Sequence, residues 1–246
     1  MQIRLLFLVF LGLCMGFKGS GDDEPIVRPL DPFVFRTTLD DRPRMISLAL
    51  HPKLWVAYDA ATCNLYKAWN GKINFDGTVF NNIPGPQPTS EGYTFIGYAE
   101  RETRWRVIVD GKTIVPKTHF LGYTILDKKV TFNFELELPD GHRIKMTEYP
   151  EYDEKKSGAM TGLVRIITTD NVPKGVEVVL PVVYDAMLFP GDIKTDGKMN
   201  KKSKVKRHFD WGSTYDFEGE LLLNSNEPTE LRTFFALNPE DVMGTN

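Results

Sequence analysis

Residues 130–138 constrain this chain more than any other stretch. Val130, Phe132, Phe134, Leu136 and Leu138 alternate with Thr131, Asn133, Glu135 and Glu137. Strict period-two alternation of this length specifies a strand with one face in a core and the other in water. Pro139-Asp140-Gly141 then turns the chain, and residues 142–148 alternate again through Ile144 and Met146. An apolar sheet face must be covered by a second layer, so the rest of the chain has to supply one.

It does so with more strands. Residues 45–50 and 54–58 are β-compatible and separated by a His-Pro-Lys turn. Residues 105–109 run into Asp110-Gly111, a two-residue hairpin signal because both residue types tolerate positive φ, and Ile114 and Val115 return on the other side. Further strands are expected at 163–168, 176–184, 220–223 and 231–237. Residues 176–183 are continuously apolar apart from Glu177, which predicts a central strand buried on both faces. No segment carries a helical stripe of useful length. The sequence therefore predicts an all-β protein, a large antiparallel β-sandwich formed as a single domain over residues 31–246. Between two strands, Lys198, Lys201, Lys202, Lys204, Lys206 and Arg207 read either as a solvated mobile loop or as a docking patch for an anionic surface.

The first residues read as an export signal. Met1 to Arg4 form a short positive region, and Leu5 to Leu13 are an apolar run too short to span a bilayer. A signal peptide is expected over residues 1–19 and a polar linker over 20–30. Cys14 raises a lipoprotein alternative, although Leu13 stands where a lipobox carries a small residue. No other apolar run is long enough for a transmembrane helix, and an exported, periplasmic or cell-envelope protein is expected. With the leader removed, Cys63 is the lone cysteine, so an internal disulfide is excluded and the fold depends on its core. Cys63 itself reads as a small buried hydrophobe. A formal net charge of −3 argues against a nucleic-acid footprint.

Several chemistries lack their motifs. There is no Cys-x-x-Cys-His, no P-loop or dinucleotide fingerprint, no Gly-x-Ser-x-Gly and no His-Glu-x-x-His, and no cofactor or metal is expected. His51, His119, His142 and His208 have no local ligand spacing. Carboxylates cluster at Glu148, Glu151, Asp153 and Glu154, but glycoside chemistry needs two carboxyls at a defined separation, which sequence adjacency on an extended chain does not provide. The segment 51–92 is rich in aromatics and closes on Ile83-Pro84-Gly85-Pro86-Gln87-Pro88, whose prolines suggest an exit held against the body of the fold. Exposed Trp and Tyr stack on sugar rings, with polar partners nearby. The ligand-binding candidates are therefore Trp55, Tyr58, Trp69, Asp76, Gln87 and His51, with Asn81 and Asn82 as further hydrogen-bonding groups. Core packing is the competing role for the aromatics.

The run Asp31-Pro32-Phe33-Val34-Phe35-Arg36, with Arg44-Met45-Ile46, His51, Leu54 to Asp59, Tyr66-Lys67-Ala68-Trp69, Asp76-Gly77 and Gly85 to Ser90, resembles a known module. It is similar to the N-terminal β-rich module of large exported bacterial proteins in which a class I cytochrome c domain follows. The later pattern of residues 105–111, 130–141 and Glu148-Tyr149-Pro150 is similar to the supersandwich of mutarotase-like proteins. The first resemblance implies a non-catalytic accessory module that binds a ligand, such as a carbohydrate, or a redox partner, such as a separate c-type cytochrome or sugar dehydrogenase. No haem-binding segment follows in this chain, so electron transfer does not carry over. The second implies a carbohydrate-active enzyme using His119 or His208 with Glu148. A structural envelope protein is the third expectation.

Overall fold

The structure, a computed structural model, describes residues 32–75, 85–97, 105–154, 160–186, 194–196, 204–207 and 215–236. The first strands in chain order are β1 (Phe33–Leu39), β2 (Arg42–His51), β3 (Leu54–Asp59), β4 (Asn64–Asn74) and β5 (Thr89–Gly97). A short hairpin follows, β6 (Arg106–Val109) and β7 (Lys112–Ile114), and then β8 (Lys117–Leu126), β9 (Lys129–Glu137), β10 (Arg143–Glu154), β11 (Met160–Asp170) and β12 (Val176–Ala186). The series ends with β13 (Lys194–Asp196), β14 (Lys204–Arg207), β15 (Tyr215–Leu222) and β16 (Thr229–Ala236). There is no helix among the described residues, and so none long and apolar enough to cross a membrane.

Two sheets form a β-sandwich. One has the order β1-β2-β3-β4-β5-β12-β15-β14, with the β6–β7 hairpin attached through β12; the other runs β13-β16-β11-β10-β9-β8. All pairings between these strands are antiparallel. The alternation over residues 130–138 appears as expected: Val130, Phe132, Phe134, Leu136 and Leu138 are buried against Ile46, Leu48, Leu54, Val56 and Trp105 of the facing sheet. Rings meet across the interface, Tyr58 on Phe132 at 4.3 Å and Trp105 on Phe134 at 5.6 Å between centroids. Residues Asp110 and Gly111 both take positive φ, 48° and 75°, making the hairpin turn that their types favour. β12 lies inside its sheet, and Val178, Val179 and Leu180 are buried in succession, so both of its faces are covered there.

The basic insertion differs from the loop expectation. Residues Lys204–Arg207 form a strand paired with β15, while Lys198, Lys201 and Lys202 lie outside the described residues. The leader, the linker and Cys14 lie outside them as well.

The larger sheet is unusual in being apolar on both faces at β2 and β3. Ile46, Leu48, Leu50, Val56 and Tyr58 enter the central core, whereas Met45, Ala49, Trp55 and Ala57 join Leu39, Trp69 and Ile73 in a second cluster on the opposite face. Backbone bending closes that cluster. Trp55 Nε1 donates to the Gly71 carbonyl at 2.8 Å and Trp69 Nε1 to the Lys72 carbonyl at 3.2 Å, which draws the distal half of β4 over the two stacked indoles. The bend requires Gly71 opposite Gly92, with φ of 144° and 118°. A Cβ on Gly71 would stand 2.1 Å from the Glu91 carbonyl oxygen, and one on Gly92 would stand 2.2 Å from that of Asn70. Gly71→Ala is therefore expected to cost about 2–4 kcal/mol of stability in urea denaturation, combining backbone strain with overpacking. Gly97→Ala, whose added Cβ meets nothing closer than 3.4 Å, is the matched control and should cost under about 1 kcal/mol.

Candidate functional site

The aromatics proposed from sequence as ligand contacts are packed away. Trp69 is 0% exposed, Tyr58 4% and Trp55 5%, so none offers a ring face to a ligand. Their burial has a physical cause, since a sheet that is apolar on both faces buries aromatics whichever way they point. His51 stacks flat on Tyr152, with centroids 3.6 Å apart, beside a Lys53–Glu154 ion pair of 2.8 Å. That contact docks the β2–β3 turn onto β10. Gln87 accepts a hydrogen bond from Thr38 Oγ1 at 2.9 Å. Nearby, Asp40 accepts from the Ser90 amide and hydroxyl, each at 2.7 Å, and the Asp40 amide donates to the Pro88 carbonyl. The proline-rich exit is thus clasped to the β1–β2 turn, as the prolines suggest. Asp76, Asn81 and Asn82 lie outside the described residues.

Of the two histidine–carboxylate pairs of the enzyme reading, the one between His119 and Glu148 is not assembled. His119 stands opposite Glu135 and Glu148 opposite Phe132, and these β9 residues project from opposite faces of the strand. His119 bonds instead to Glu137, Nε2 to Oε2 at 2.7 Å. That bond holds the Glu137 carboxyl below the usual carboxylate range, with the charges of Lys117 and Arg143 acting in the same direction. His208 lies outside the described residues. Among the described residues no group of three or more His, Cys, Asp or Glu side chains converges as a metal site.

Glu148 belongs to a polar node in the middle of the sandwich. Arg165 donates through Nε to Glu148 Oε1 at 2.6 Å and through Nη2 to Oε2 at 2.9 Å, a bidentate pair at 1% and 0% exposure. From the other sheet Tyr58 donates its hydroxyl to Glu148 at 2.7 Å, and Asn64 Oδ1 accepts from Arg165 at 3.0 Å. The carboxylate is consumed by structure. Cys63 adjoins this region, buried among apolar groups with its thiol pushed up to about 12 by desolvation and by the charge of Asp59, the state of an inert packing residue.

A concave surface among the described residues lies elsewhere, where the edge strands β1 and β8 of the two sheets come together without pairing. A cleft of about 640 Å³ opens there, lined by Arg36, Arg44 and Ile46 from β1–β2, Ala60 and Ala61 from the β3–β4 turn, Thr118 to Leu121 from β8, and Arg143 from β10. A hydrogen bond of 2.7 Å from Thr118 Oγ1 to the Ala61 carbonyl bridges the two sheets and separates this cleft from an adjoining depression under Trp105 and Pro116. Arg36 lies over the Phe120 ring at 5.7 Å. Arg143 spends its charge on Glu135 and Glu137, at 3.0 Å each. Arg36 and Arg44 make no ion pair with any described carboxylate.

Arg44 reaches the cleft by a backbone device. The β1–β2 ladder skips a residue between Thr37 and Leu39, and Arg44 sits in the bulge with φ of 62°. A bulge redirects a side chain, and a left-handed position is one that glycine fills without strain. Sequence reading missed all of these arginines because four separate strands deliver the cleft's charged residues; the turn residues Asp40-Asp41 just before Arg44 were the available signal.

Comparison with known protein families finds no matching family model, and comparison with curated proteins finds no match either.

Two stability experiments follow from this geometry. Removing either Glu148 (to Leu) or Arg165 (to Met) strands its buried partner and should cost about 3–5 kcal/mol, whereas the double variant should lose far less than the sum. A double-mutant cycle in urea reads the coupling, expected at about 2 kcal/mol or more; additive losses would contradict a shared node. Arg44→Gly should raise thermal stability by about 0.5–1 kcal/mol, since it relieves a left-handed side-chain residue, while Arg44→Ala should give no such gain.

Proposed function

We propose that this chain is an exported, non-catalytic β-sandwich accessory module that takes its ligand or partner in the cleft between β1 and β8. The observation that carries this reading is the cleft itself: a concavity of small-molecule dimensions with two arginines that no described carboxylate neutralises. Both arginines are exposed, so their guanidinium groups are open to an external anion. The leader over residues 1–19 supports export, and the resemblance to modules accompanying cytochrome c domains supports service to a carbohydrate-using or oxidative system of the periplasm. A carbohydrate is the favoured ligand, with a c-type cytochrome or a sugar dehydrogenase as the macromolecular alternative.

Commitment of Glu148 to Arg165 and Tyr58, on the sheet face away from His119, speaks against the mutarotase-like alternative. The buried aromatics have changed the expected mode of sugar recognition, from ring stacking on Trp55 and Trp69 to guanidinium contacts in the cleft.

The test is a binding screen of the purified protein against a glycan array, c-type cytochromes and sugar dehydrogenases. Binding that Arg36→Ala with Arg44→Ala abolishes, in a protein that does not turn the ligand over, is the expected result. Sugar epimerisation or hydrolysis by the pure protein would replace this reading with the enzymatic one, and silence across the whole screen would overturn it.

A further inference from the structure

The chemistry of the cleft walls narrows the ligand. Arg36 and Arg44 stand on the same side of the opening, the first paired opposite Ile46 on the core-facing side of β1 and the second turned in by the bulge. A guanidinium presents a planar fork of donors that matches the two oxygens of a carboxylate. Arg36 lies over the Phe120 ring at 5.7 Å, a cation–π contact that needs no hydrogen-bond acceptor. Arg44 has no such support among the described residues and takes its direction from a left-handed backbone that costs stability, a form of strain that gathers at functional sites.

The rest of the surface is not that of a bare anion site. Phe120 and the exposed Leu121 supply an apolar wall, and the Ala60 and Ala61 carbonyls, each bonded once within the protein, have a second lone pair for a hydroxyl, their amides being spent on the Arg44 carbonyl and the Asp59 carboxylate. A ligand matched to all of this has an apolar ring face, hydroxyls around it and a carboxylate at its edge. We propose that the cleft is a sugar-acid site: it binds a short uronate oligosaccharide, with Arg36 and Arg44 gripping the carboxylate while the ring lies against Phe120 and Leu121. This rests on the reading of the chain as a ligand-binding module and names the substrate class of that same cleft.

The experiment is calorimetric titration of the full chain with trigalacturonate, with its methyl-esterified neutral counterpart and with inorganic phosphate. Trigalacturonate should bind, the neutral ester should bind at least about tenfold more weakly, and phosphate should compete only at far higher concentration. Arg36→Gln and Arg44→Gln should each weaken trigalacturonate binding by about tenfold or more, and added salt should weaken it in the wild type. Lys72→Gln, on the exposed part of β4, should leave it unchanged. Equal binding of the ester and the acid, or loss of no affinity in either arginine variant, overturns the sugar-acid proposal while leaving a neutral-glycan module standing. Phosphate binding as tight as trigalacturonate overturns it too, reducing the cleft to a general oxyanion site. The module reading falls separately, through silence in the wider screen. Thermal melts of both variants establish that they are folded, since Arg36 and Arg44 are exposed and outside the core.

Discussion

The bidentate contact between Arg165 and Glu148 is the constraint around which this sandwich is organised. Both groups sit in the central layer, where an ion without a partner is far more costly than an ion with one. Each also needs the opposite sheet: Tyr58 donates to the carboxylate and Asn64 accepts from the guanidinium. Apolar packing alone tolerates sliding of one sheet over the other, but a four-residue hydrogen-bonded node has a single satisfied register. The node absorbs the one deeply buried carboxylate of the described core, whereas the cleft arginines lie at the periphery, where β1 and β8 meet unpaired.

Much of this architecture was legible in the residues. The alternation of 130–138, the Asp110-Gly111 turn and the apolar run through Val178 to Leu180 each mapped onto the element expected, because each reports a local rule. What escaped was non-local. β4 shows no clean alternation because its ladder to β5 shifts between Ala68 and Trp69 and its two faces are both packed in part. β8 is hidden in the same way by a register shift between Phe120 and Gly122, which breaks the period of two halfway along. Periodicity sees only strands whose register is uninterrupted.

Legibility of the site was poorer for a related reason. Aromatic content drew attention to Trp55, Tyr58 and Trp69, since exposed rings and buried rings have the same letters. Burial separates them, and burial is decided by how β4 bends over the outer face, a tertiary fact. The cleft arginines carried the opposite problem. Arg36, Arg44 and Arg143 look like ordinary surface charges along the chain, and only the packing of one sheet edge beside another gives them a common opening. Charge with a partner and charge without one are likewise indistinguishable until Glu135 and Glu137 are seen beside Arg143.

The facing glycines of β4 and β5 carry an implication for how this protein can vary. Gly71 and Gly92 each abut the backbone of the other's strand, not a side chain. A clash with a side chain can be relieved by shrinking that side chain elsewhere in the sequence; a clash with a carbonyl oxygen cannot. The two positions are therefore locked individually, and no compensating exchange links them. Relatives that keep the bend should retain both glycines even where the tryptophans beneath have drifted to other large side chains, which makes the glycine pair a better search signature for distant kin than the aromatics it covers.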